Sequence, residues 1–123
     1  MKAFSVLFSL CFFLFISAHS QAPTMNIEGT SSSIISKLDK ALTLTDVQKP
    51  KLSTIVTNFL RQKVNIAPLK TSNEKAYNTK LNSMQNGLQS KLKALFTSEQ
   101  LTAYQALKPE TYDETNVLSH LFY

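Results

Sequence analysis

The sequence predicts an all-α fold: an antiparallel helical hairpin with short flanking helices, paired with a second copy of itself. Three observations lead there. Tyr77, Leu81, Met84, Leu88, Leu92 and Leu95 follow one another at spacings of four, three, four, four and three, which lines them along one face of a long helix. Thr45-Asp46-Val47-Gln48 and Thr97-Ser98-Glu99-Gln100 repeat one Thr-x-x-Gln pattern fifty-two residues apart, and that pattern starts helices. Only two glycines occur in 123 residues, and no run alternates polar and apolar side chains as a half-buried strand would.

Residues 1–20 read as a secretory signal peptide. Lys2 precedes the apolar run from Ala3 to Ile16, and Ser17-Ala18-His19-Ser20 supplies small residues where cleavage needs them, so the cut is expected after Ser20. Fourteen residues fall short of the roughly 20 that cross a bilayer. Cys11 follows Leu10 rather than the small residue a lipoprotein signal requires, and it is the single cysteine. With no thiol after the leader, disulfides cannot stabilise the exported chain, which leaves helix packing or self-association to do so.

Residues 21–29, with Pro23, Asn26 and Gly29, are expected to form a disordered lead-in. A helical domain is then expected over 30–108. Thr30 and Ser31 to Ser33 offer capping oxygens for a first helix with Ile34, Ile35, Leu38, Ala41 and Leu42 on one face. Thr45 and Gln48 form a capping box for the second helix: the hydroxyl accepts from the Gln48 N–H and the Gln48 side chain returns to the Thr45 N–H. Pro50 either kinks its first turn or marks its regular start. Leu52, Ile55, Val56, Phe59 and Leu60 then give it an apolar face up to Val64 or Ile66, before Pro68 breaks or bends the chain.

Asn73 and its polar neighbours cap the long third helix, expected over 73–95, with Gly87 costing it about 1 kcal/mol against alanine. Thr97 and Gln100 form the second capping box, and Phe96 and Leu101 supply its hydrophobic staple. Leu101, Tyr104 and Leu107 line the fourth helix, which Pro109 closes. The tail, 109–123, is acidic and then apolar at Val117, Leu118, Leu121 and Phe122, which suits one amphipathic turn packed on the core or an exposed partner segment. The first and fourth helices are expected to close the ends of the hairpin.

Charge is unevenly spread. All 12 basic residues after Lys2 lie between Lys37 and Lys108, where only Asp39, Asp46, Glu74 and Glu99 oppose them, while Glu110, Asp113 and Glu114 make the tail acidic. Such a body attracts anionic surfaces and acidic chains. At roughly 100 degrees per residue, Lys80 and Lys91 fall beside the apolar stripe of the third helix, and Lys63 continues the apolar face of the second. These three are the candidate client-binding residues, rimming an apolar groove, although lysine stems that merely cover a seam would be placed alike. Thr45, Gln48, Thr97 and Gln100 are expected to act as structural caps.

Leu44-Thr45-Asp46-Val47-Gln48 and Phe96-Thr97-Ser98-Glu99-Gln100, with the hairpin between them and Tyr104-Gln105-Ala106-Leu107 after, resemble the LTxxQ-motif family of Spy/CpxP-type periplasmic proteins. The resemblance covers roughly residues 34–107. It departs at Pro50, at Phe96 in place of leucine, and in a shorter, less charged chain. It implies a cradle-shaped helical homodimer in the periplasm of a Gram-negative cell. The function implied is an ATP-independent chaperone or envelope-stress protein for partly unfolded or acidic clients. An adaptor docking on one envelope or sensor protein is the alternative.

Catalysis, metals and cofactors find little footing. His120 is the one histidine after the leader, the carboxylates are scattered, and no glycine-rich phosphate loop is present. Export and the lack of aromatic-basic interleaving argue against nucleic acid.

Overall fold

The structure is a computed structural model that describes residues 25–123, so the expected signal peptide and residues 21–24 of the lead-in lie outside the described residues. The described chain is all-helical, with α1 at Ile27–Leu42, α2 at Gln48–Ile66, α3 at Leu69–Ser72, α4 at Glu74–Leu95, α5 at Ser98–Ala106 and α6 at Ser119–Phe122. Among the described residues there is no strand.

α1 starts earlier than its serines suggested. The Asn26 side chain accepts from the Gly29 N–H at 3.1 Å, so residues 27–29 are helical instead of disordered and neither Thr30 nor the serines act as the cap. Asparagine caps as well as serine does, and the first able residue in the chain takes the role. Ile34, Leu38 and Leu42 are buried as expected, but Ser31 is the fourth buried residue of this face. Its hydroxyl pairs with that of Thr57 on α2 at 3.0 Å, which satisfies both groups. α1 ends at Thr43, whose φ of 54° lies in the left-handed region and whose N–H donates to Asp39 O. α1 packs along α2 as fully as α4 does, and it also touches α5. It is therefore a third layer of the core and more than an end closure.

Pro50 does not delay α2: it is the third residue of the uninterrupted span Gln48–Ile66. Lys49 N already donates to Thr45 O at 3.1 Å, so the turn begins at the Thr45 cap and the proline forgoes the next bond of the series, to Asp46 O. Leu52, Val56 and Leu60 are fully buried, and Phe59 and Ile66 nearly so. Pro68 starts the single turn of α3, and the break comes at Asn73, where φ is −156° and ψ 82°. Asn73 then caps α4 by accepting from the Ala76 N–H at 3.1 Å.

The apolar stripe of α4 divides in two. Leu88 and Leu92 join Ile34, Leu38, Leu52, Val56 and Leu60 in one core, whereas Tyr77, Leu81 and Met84 stay half-buried. Residues 109–123 are no separate tail. Leu118 and Leu121 are each 1% exposed and belong to the same core. Phe122 stacks on Tyr104 with ring centroids 4.9 Å apart, and Tyr104 in turn meets Phe96 at 5.9 Å. The Tyr123 hydroxyl donates to Pro109 O, which closes the last segment on itself. Burying those apolar side chains outweighs leaving a short segment loose, at about 1.5–3 kcal/mol for each large one.

Candidate functional site

Both Thr-x-x-Gln motifs fold as capping boxes. Gln48 N donates to Thr45 Oγ1 at 3.1 Å and Thr45 N donates to Gln48 Oε1 at 3.0 Å, and Thr97 with Gln100 repeats both bonds at the same lengths. The two boxes also meet, which local spacing could not reveal. Gln48 Nε2 donates to Gln100 Oε1 at 2.7 Å, and Gln100 Nε2 donates to Gln48 Oε1 at 3.0 Å. The remaining Gln48 donor reaches Leu95 O at 3.1 Å, and that of Gln100 reaches Leu42 O at 3.4 Å. Each motif thus starts its own helix and ties off the last carbonyl of another, α4 in one case and α1 in the other. Every donor and acceptor of the two amides is used, so the arrangement is a structural clasp with no free group for chemistry.

One open surface lies between α2 and α4. Ile55, Phe59, Met84 and Leu88 form the apolar floor of a cleft of about 240 Å³, with Asn58, Gln62, Ser83 and Lys91 around it and Gly87 in its wall. A second hollow of about 340 Å³ shares Gln62, Ser83 and Met84 and adds Asn65, Ile66 and Lys80, so the two make one groove. A Cβ at Gly87 would meet nothing within 4 Å. The glycine is not demanded by packing, and its missing side chain leaves the cleft wider.

Lys80 and Lys91 sit at this groove and are exposed. Among the described residues the ion pairs are those of Lys49 with Asp39 and Asp46, which leaves the Lys80 and Lys91 ammonium groups unpaired. Lys63 does not join them. Its Nζ donates to His120 O at 2.9 Å and to Tyr123 O at 3.0 Å, tying down the end of α6, and it lies 5.9 Å from the centre of the Phe59 ring. Helix periodicity placed Lys63 on the apolar face correctly, but what covers that face there is the chain's own last turn. Burial, helped by the charge of Lys70, pushes the Lys63 ammonium down to about 8.

Two further titratable groups border the same segment. His120 is held below its usual range by burial and then by Lys63. Tyr104 is fully buried, its hydroxyl has no hydrogen-bond partner, and burial raises it well above its ordinary value. Neither lines the groove. Among the described residues no three histidine, cysteine or acidic side chains gather as a metal site would require. Comparison of the chain with family models, with curated proteins and with solved structures gives no match.

Proposed function

We propose that this chain is an exported, non-enzymatic binding protein that holds partly unfolded or acidic polypeptides in the α2/α4 groove, as an ATP-independent chaperone of the periplasm would. The reading rests on one observation: an apolar floor of Ile55, Phe59, Met84 and Leu88 lies beside two unpaired ammonium groups, Lys80 and Lys91. Unpaired cations speed the encounter with acidic chains, and an open apolar floor holds exposed side chains without locking them. A groove lined by residues 55 to 66 of α2 and 80 to 91 of α4 is what an antiparallel hairpin of the two helices would present. Half-buried Tyr77, Leu81 and Met84 leave apolar surface for a client or a second copy. An adaptor role through an exposed terminal segment gains nothing comparable, since Leu121 is buried.

The test is light scattering of a chemically unfolded model protein with the exported protein added at rising ratios. Suppression near stoichiometric ratios that weakens with salt, and that Lys80→Glu with Lys91→Glu removes, is the expected result. A scattering trace unchanged at every ratio would overturn the reading.

A further inference from the structure

We propose that the acidic loop at residues 110–114 of one copy docks in the α2/α4 groove of a second copy, and that the exchange is reciprocal. The proposal rests on the reading of that groove as a polypeptide-binding surface and names its first occupant. Glu110, Thr111, Tyr112, Asp113 and Glu114 are all exposed, and Tyr112 is 47% exposed, one of two large hydrophobic side chains so placed among the described residues. An aromatic ring amid three carboxylates complements an apolar cleft beside two ammonium groups. No ion pair engages Glu110, Asp113 or Glu114 among the described residues.

The loop is also held in one shape. Asp113 Oδ1 accepts from Thr115 N at 2.9 Å and from Thr115 Oγ1 at 2.7 Å, and Asp113 N donates to Ser119 Oγ at 3.0 Å. Just beyond, Lys37 Nζ on α1 donates to Asn116 Oδ1 at 3.0 Å. A shape fixed in advance costs less ordering entropy on docking. The same bonds tether the loop to α1 and α6, and among the described residues no ion pair joins it to its own Lys80 or Lys91, so a second molecule supplies the groove. One-way insertion would leave a free loop and a free groove and so continue into open chains, whereas mutual insertion closes a two-fold dimer.

Sedimentation equilibrium of the exported protein over a concentration series tests this. A dimer at low salt that dissociates as salt rises is expected, because charges facing water are screened over about 10 Å at 0.1 M. The groove reversal, Lys80→Glu with Lys91→Glu, and the loop reversal, Glu110→Lys with Glu114→Lys, should each give monomers. Mixing the two variants should restore a dimer, since both loop-groove contacts are then complementary, and that rescue also shows that both variants fold. Tyr112→Ala should weaken the dimer about tenfold or more. A monomer at all concentrations, or a dimer that ignores both reversals, overturns the proposal. The two readings fail separately: a dimer that suppresses no aggregation removes the client reading alone, and a monomer that suppresses it removes self-docking alone.

Discussion

Gln48 and Gln100 carry two primary amides into the joint where α1, α2, α4 and α5 meet, and each amide serves three places at once: its own helix start, the end of another helix, and its counterpart. Truncating one leaves a carbonyl, an N–H and half of the partner amide without bonds. Gln48→Ala should therefore cost about 2–3 kcal/mol, against about 1 kcal/mol for the simpler loss of a cap in Thr97→Ala. Once Gln48 is gone much of what Gln100 does is gone too, so the double alanine variant should lose less than the sum of the singles, by about 0.5–3 kcal/mol. Urea unfolding of the four proteins measures this, and strict additivity would show that the two boxes act independently. The four capping residues were legible in the sequence because a capping box is written within four positions. Their clasp was not, because it joins positions fifty-two apart and no local rule reaches that far.

α4 shows what an amphipathic stripe does and does not disclose. Its expected span of 73–95 and the observed Glu74–Leu95 agree, because Asn73 and the Leu92–Phe96 end are marked by local chemistry. The stripe could not tell that Leu88 and Leu92 would be core while Tyr77, Leu81 and Met84 stay half-buried, since that depends on where the neighbouring helices stop. Leu88 and Leu92 are buried in the core that α4 shares with α2, whereas Met84 stays half-buried. α6 was harder still, as one turn of four residues has too little periodicity to declare its partner. Gly87 lies in the exposed part of α4 with open space where a Cβ would go. Gly87→Ala should raise stability by about 1 kcal/mol through helix propensity alone. If the open wall admits client side chains, larger replacements such as Gly87→Leu should in addition weaken aggregation suppression. A thermal midpoint that falls in Gly87→Ala would mean that the glycine answers a packing need the structure does not contain.

For the whole molecule, His120, Lys63 and Tyr104 set the pH dependence of stability above the carboxylate range, in which the lowered Asp113 adds its own loss as pH falls. His120 is lowered from 6.5, so it binds its proton more readily when unfolded, and the stability it contributes is complete above pH 6.5 and lost as pH falls below it. Lys63 follows the same sign at higher pH: lowered from 10.5 to about 8, it contributes fully above pH 10.5, and stability falls as pH drops from there toward 8. The neutral amine keeps two N–H donors, enough for His120 O and Tyr123 O, so α6 stays anchored while the desolvated charge is relieved. Tyr104 runs the other way, because its value is raised from 10, and stability is complete below pH 10 and lost above it. Urea midpoints should accordingly rise through pH 6, level off, rise again from pH 8 to about 10, and then fall. Lys63→Met should flatten the rise above pH 8 and loosen the last turn. Tyr104→Phe should remove the alkaline fall and also stabilise at neutral pH, since it deletes a buried hydroxyl that no acceptor satisfies. A profile flat from pH 8 to 10 in the parent protein would show that the Lys63 ammonium is fully compensated where it lies, and that α6 is held by a charge rather than despite one.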